Sequence, residues 1–317
     1  MEGATPLHLP DQGKPLRETM QMTNRKPISS VGEQTRFILA VLIPTVLAFL
    51  IIRIIPISQT LAFSFFRWNM IDGVGKFVGI KNYLTLFRDE IFYNAFLNTI
   101  SFTVFTTLVS VVLGLGFAYL INQKIRFKSV YETIIFVPVV LTFVPVCLIW
   151  MWMFEWDNGF INLVLRGIGL PRVAWLSTPR MSLVSVIIVS IWKVIGYNMI
   201  IFSVGLKNIP AMYYEAAMID GASRWTTFRR ITLPLLRPIT LFVMVISVIN
   251  NLKVFTQVYV MTHGAQGGGA QVEVLVSDIY ARSFIYFKMG VGAAESIVLL
   301  LVVLLFTLIQ FRMGKER

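Results

Sequence analysis

Apolar residues along this chain are gathered into six long stretches, at about 37–57, 95–121, 133–154, 181–206, 238–262 and 290–311. A helix rises about 1.5 Å per residue, so each stretch is long enough to cross a hydrocarbon core of roughly 30 Å. The pattern predicts an all-α integral membrane protein with six transmembrane helices in one domain over 37–313. Residues 1–36 carry Pro6, Pro10, Pro15 and Pro27 and no apolar run, so they read as a polar tail and not as a cleavable signal peptide. Residues 314–317 read as a second, short tail.

Composition agrees with that reading. The chain is 56% hydrophobic and only 14% charged, against roughly 25% charged in soluble domains, which excludes an ordinary globular enzyme. The net charge of +12 alone would fit nucleic acid or an anionic membrane surface. In a membrane protein basic residues collect in cytoplasmic loops, and nucleic acid is not an expected partner. With the N-terminus inside, 16 Lys and Arg fall on inner segments and 9 on outer ones, which makes both termini and the 207–237 loop cytoplasmic. The outer segments 58–94 and 155–180 mix aromatic rings with glycine, proline and charges, a composition for the headgroup layer. Cys147 is alone, and His8 and His263 lie far apart, so no disulfide, metal site or catalytic constellation is predicted.

Four ionisable residues fall within the apolar stretches: Arg53, Lys193, Lys253 and Glu295. Arg53 lies near a span end and can snorkel to water. The others lie deeper, where a lysine costs about 2.5–3.5 kcal/mol unless it faces a cavity or a partner. On continuous helices Ser190, Lys193 and Tyr197 share one face, and Ser247, Asn250, Lys253 and Gln257 share another with Asn251 at its margin. Such groups suit a saccharide, which offers hydroxyls to bond and C–H faces to stack. They equally suit helix-to-helix bonding, including a Lys to Glu295 pair that only joins spans.

The most informative stretch is Tyr213-Tyr214-Glu215-Ala216-Ala217-Met218-Ile219-Asp220-Gly221-Ala222-Ser223-Arg224-Trp225, running on to Ile231-Thr232-Leu233-Pro234. Pro210 can open a helix, the paired alanines favour it, and Gly221 permits a turn with positive φ at its end. A second short helix can follow, making a two-helix knob. Read without its full pattern, the same segment could be an interfacial hairpin with its arginines on lipid phosphates.

The full pattern, E-A-A, three residues, G, nine residues, I-x-L-P, resembles the loop of permease subunits of binding-protein-dependent ABC importers, and more narrowly the maltose and glycerol-phosphate uptake type. Supporting matches run in order from Phe77-Val78-Gly79-Ile80-Lys81-Asn82-Tyr83 through Asn98-Thr99, Trp192, Gly196-Tyr197-Asn198-Met199, Val254-Phe255 and Val258 to Thr262, to Met289-Gly290. The resemblance implies the importer-permease fold with a cytoplasmic coupling helix, in a bacterial inner membrane. Glu215, Ala216, Ala217, Asp220, Gly221 and Arg224 would form the contact with two ATP-binding subunits. A second similar permease, as a heterodimer, and an extracytoplasmic solute-binding protein would complete the assembly. This chain would hold no cofactor; the sequence lacks a GxxxxGK[ST] loop, which puts ATP and magnesium in the partner ATPases. Two departures stand out. The large external insertion of the maltose permease is missing, and Leu252-Lys253-Val254-Phe255-Thr256 stands where relatives commonly carry Phe-Gln-Val-Phe-Asp. Both exchanges in span five raise the local potential, which favours an anionic saccharide such as a uronate oligomer or a sugar phosphate. A proton- or ion-coupled secondary transporter is the alternative class, with Glu295 or a lysine as carrier.

Overall fold

The computed structural model describes residues 31–69, 71, 73–123, 125–263 and 270–315. Most of the tail expected over 1–36, with His8, and the end of the 314–317 tail lie outside these residues. The chain divides into two compact units, 1–57 and 58–317. In the first, a helix opens at Val31, inside the stretch expected to be tail, and passes through a π turn at Leu50–Ile54. Its side chains from Thr35 to Ile57 are all exposed, and a helix that is apolar all round needs an apolar solvent.

In the second unit Glu90–Ile121, Pro179–Lys207 and Met289–Gly314 are continuous helices long and apolar enough to span. Two start with a side-chain cap: Asp89 accepts from the Ile91 amide at 2.9 Å, and Thr178 from that of Met181 at 3.3 Å, each satisfying a donor that the first turn leaves open. With Thr35–Phe63 there are four such helices, and six spans if each of two bent pairs counts as one.

One pair is Lys128–Val140 with Phe143–Met153 and the other Arg224–Leu235 with Arg237–Leu252 at 65°, and breaks inside two of the expected spans correct the simple picture of straight rods. The stretch expected as one span at 133–154 is two helices, Lys128–Val140 and Phe143–Met153, meeting at 104°. Pro138 lies in the first, where it removes an intrahelical bond. Leu141 and Thr142 are extended, and Pro145 falls in the first turn of the second helix, where its missing N–H costs nothing. The stretch expected as one span at 238–262 is likewise Arg237–Leu252 and Thr256–Thr262, broken at Lys253–Phe255. The face drawn through Ser247, Asn250, Lys253 and Gln257 is interrupted before Gln257, and along it Ser247 and Gln257 are buried while Asn250 and Lys253 are exposed. The fold also departs from all-α at a short antiparallel hairpin, Phe66–Asn69 with Gly73–Phe77.

The core is built where Glu90–Ile121 lies along Pro179–Lys207. One stripe of the former is small and buried: Thr99, Thr103, Thr106, Thr107, Ser110, Gly114 and Ala118. Spacings of three and four place these residues on one face, and small residues let helices approach closely in lipid, where apolar burial itself is no driving force. Cross-helix bonds follow the same seam, from Asn198 to Ser110 at 3.1 Å and from Asn251 to Thr107 at 2.9 Å, each worth about 0.6 kcal/mol in a membrane. Phe102, Val146, Cys147, Val186, Val189 and Met261 fill one cluster, and Val111, Met199, Phe202 and Val243 another.

Gly196 is a close approach of the fourth span to the bent third: a Cβ there would lie 2.3 Å from the Ile135 carbonyl oxygen. Gly196→Val should destabilise by about 1–3 kcal/mol, lowering the thermal midpoint of the purified transporter by several degrees. Gly116→Ala, which meets open space, should leave it within a degree; equal shifts for the two would refute the close approach.

Candidate functional site

The 207–237 loop is built as its residues dictate. Ala211–Ile219 is helical after Pro210. It ends at Gly221, whose φ of +69° only glycine adopts without strain. There Ala222 N–H donates to the Ala217 carbonyl at 2.9 Å and Gly221 N–H to that of Met218 at 3.1 Å, the paired bonds that close a helix C-terminus. Ser223 then caps the next helix, accepting from Thr226 N–H at 3.2 Å. The Tyr214 hydroxyl and Thr232 bond at 3.2 Å, and Tyr119 and Trp225 both pack on Phe228, fixing the two helices to each other and to the second span. At the apex Met218 is 72% and Ile219 87% exposed. Glu215, Ala216, Asp220 and Arg224 are exposed with them and Ala217 is buried. All six residues singled out in the sequence thus lie on one rigid, partly apolar projection.

The deep charges separate instead of converging. Lys193 is buried, and its ammonium donates to the carbonyls of Pro138, Val139 and Leu141 at 3.1, 3.3 and 2.6 Å, with Nζ 4.6 Å from the Phe143 ring centre. It closes the bend of the third span. Ser190, one turn away, is buried, while Tyr197 is exposed. Glu295 is fully buried and pairs with Arg282, Oε2 to Nε 3.1 Å; its cation is thus an arginine and not the lysine considered from sequence. Lys253 is exposed at the break, beside exposed Asn250, and is in no ion pair among the described residues.

Arg282 was not anticipated. It follows Leu275–Tyr280 on a π turn, Ala281–Ile285, and gathers three acids: Asp89 at 2.8 Å, Asp278 at 2.8 Å and Glu295. The network ties the start of the second span to that of the sixth. Burial opposes ionisation of Asp89, yet the Ile91 amide, Arg282 and Lys288 together hold its carboxyl below the usual carboxylate range. A second unanticipated tie joins His263 to Glu273 at 2.9 Å, with Ser277 donating to the same carboxylate at 2.8 Å. The only advance signal for either was charge in segments flanking apolar runs.

A bundle of long apolar helices carrying a capped two-helix projection is the architecture of a membrane-embedded protein. A family profile described as binding-protein-dependent transport system inner membrane component matches residues 110–315. A trehalose/maltose transport system permease protein of Thermococcus litoralis is 31% identical over 280 residues, covering 87% of this chain and 92% of that one. An osmoprotective compounds uptake permease protein of Synechocystis is 37% identical over 257 residues, covering 79% and 88%. Among solved structures, a bacterial ABC transporter involved in import of the acidic polysaccharide alginate has a chain that superposes with a TM-score of 0.79 at 25% identity, covering 90% of this chain and 96% of that one. The same transporter is also solved in complex with an alginate pentasaccharide-bound periplasmic protein. This chain belongs to the family of inner-membrane permease components of binding-protein-dependent ABC transport systems.

Removing the cation from a buried ion network leaves uncompensated charge, at a cost of about 3–5 kcal/mol. Arg282→Met should therefore strip the transporter of most of its monodisperse material in size-exclusion chromatography, and Asp89→Asn, at the network's exposed edge, should not. Normal yield and thermal midpoint for Arg282→Met would show that the network does not hold the second and sixth spans together.

Proposed function

We propose that this chain is the transmembrane subunit of an ATP-driven importer of acidic saccharides, with both termini and the 207–237 loop in the cytoplasm. It works by alternating access: paired ATPases close on ATP, the projection around Glu215 to Gly221 moves with them, and the spans open outward to accept cargo from a binding protein. The observation that carries the coupling is the apex of that projection, apolar, exposed and held rigid by the bonds at Gly221 and Ser223. Met218 and Ile219 are side chains that a cleft on an ATPase would cover, and Arg224 beside them adds a charge for orientation. ATP and magnesium belong to those partners, and a second permease closes the pathway.

The cargo reading rests on Lys253. Of the three deep ionisable groups it alone is exposed, at an interruption of the fifth span, where unwound backbone is tolerated when it lines a cavity or is covered by protein. An ammonium facing a pathway of low dielectric attracts a uronate carboxylate or sugar phosphate and disfavours a cation. Asn250 and Tyr197, also exposed, would supply hydrogen bonds and a stacking face. Asn251 and Gln257, both buried, back the same break, as Ser190 and Lys193 back the bend of the third span. The likeness to an alginate importer supports the acidic class. Proton coupling through Glu295 has less support, because that carboxyl is shut away beside Arg282.

The test is uptake by the complete transporter in proteoliposomes, with binding protein, comparing an acidic oligosaccharide with its carboxyl-reduced analogue. Wild type should carry the acidic cargo about tenfold better, only with ATP inside, and Lys253→Gln should abolish most or all of that preference. Uptake driven by a proton gradient without ATP would contradict the energy source. An unchanged preference in Lys253→Gln would contradict the cargo.

A further inference from the structure

Away from the pathway, a cavity of about 380 Å³ opens beside the hairpin, lined by Arg67, Trp68, Asn69, Lys81, Thr85 and Lys288 among others. Its three cations come from separate elements: a hairpin strand, the Lys81–Leu86 helix, and the turn that leads into the sixth span. Among the described residues no acidic side chain lines it. Among the described residues none of the three cations is in an ion pair. Asp89, whose charge Lys288 also feels, is bound to Arg282 at 2.8 Å. The arrangement is held from beneath: the Asn82 amide donates to the carbonyls of Ser64 at 2.8 Å and Phe66 at 2.9 Å, and Ser64 bonds the Tyr83 hydroxyl at 2.7 Å. One guanidinium and two ammonium groups around a single cavity, with the Asn69 side chain beside them, suit a phosphate oxyanion.

The position of the cavity selects the source of that phosphate. Helices begin at Glu90 and Met289, immediately after the elements that line it, so it lies at the membrane surface where two spans enter. Around it Ile71, Phe77, Ile80 and Tyr286 are exposed, as in the aromatic and apolar girdle at a headgroup layer. From Lys81 the exposed surface continues through Leu84, Ile91 and Leu97 along the second span, a path for an acyl chain. A soluble anion would use the cations and leave this apolar surface uncovered; a phospholipid uses both.

We propose that this cavity is a headgroup site for an anionic phospholipid, with its phosphate held by Arg67, Lys81 and Lys288 and an acyl chain on the outer face of the second span. It seats lipid at the point where the Asp89–Arg282–Glu295 network joins the second and sixth spans, and so braces that junction from outside.

The experiment is native mass spectrometry of the complete transporter, released from nanodiscs of phosphatidylcholine doped with phosphatidylglycerol. Wild type should retain phosphatidylglycerol over phosphatidylcholine, and the triple variant Arg67→Gln, Lys81→Gln, Lys288→Gln should lose that preference by at least about tenfold. The charge-keeping pair Lys81→Arg, Lys288→Arg should retain it. Should the triple variant not assemble, each single Gln variant reads the same effect at a few-fold. Glycerol 3-phosphate is added as a competing soluble phosphate; its failure to displace the lipid supports the membrane source, and full displacement at equal concentration overturns it. Unchanged phosphatidylglycerol retention in the triple variant overturns the site, and doubly so if affinity for the binding protein falls instead, since the face would then dock a protein.

Discussion

A bend inside a bilayer is permitted only if the carbonyls it frees find donors, because the surrounding hydrocarbon supplies none. Here one ammonium meets that constraint. Lys193 reaches across from the fourth span to the carbonyls of Pro138, Val139 and Leu141, and the third span turns by 104° around it. Gly196, one turn further along the same helix, lets the bent segment approach to contact with its backbone. The buried small-residue stripe of the second span, Thr99 to Ala118, seats the fourth span from the other side. The fourth span is therefore the member against which its neighbours are placed, and its one deep charge is what makes its neighbour's shape possible.

The same accounting sorts the other charges. Glu295 is balanced by Arg282, which also takes Asp278 and Asp89, so the sixth span is locked to the start of the second. Lys253 has no such commitment among the described residues and stands exposed at a break in the fifth span. A chain that pairs Glu295 with Arg282 and Lys193 with backbone carbonyls, and leaves one deep cation open, presents a defined polar feature to whatever closes the pathway. At the other end of the molecule the 207–237 loop presents the opposite kind of feature, apolar side chains on a rigid turn. The loop is joined through Tyr119 and Phe228 to the second span and through Lys207 to the fourth.

Much of this was legible beforehand, and the remainder was hidden for physical reasons. Apolar run length marks where a chain can cross a membrane, so the positions of the four long apolar helices followed directly. The loop was legible because Gly221 and Ser223 act locally, through bonds to residues within five positions. Run length carries no information about bends: Pro138 and Pro145 stood in plain view, yet whether a proline kinks a span depends on donors elsewhere, here on Lys193 more than fifty positions away. The face drawn on an unbroken helix failed for Gln257 because the break at Lys253–Phe255 turns the wheel before that residue. Arg282 escaped notice because it lies between apolar runs, and its partner Asp89 comes from a distant part of the chain. The stripe on the second span has helical spacing and was concealed only because threonine and serine dilute hydropathy.

The account stands or falls on Lys193 being structural. Thermal unfolding of the purified transporter and the KM for its cargo should be measured together for Lys193→Met, which keeps length and removes the donors. Three carbonyls left without their donor should lower the thermal midpoint by many degrees, on the scale of about 1–3 kcal/mol for each unsatisfied group, with KM within about twofold of wild type in the fraction that remains folded. A midpoint unchanged from wild type with a KM raised tenfold or more would mean that Lys193 meets cargo and that the bend is held by something else.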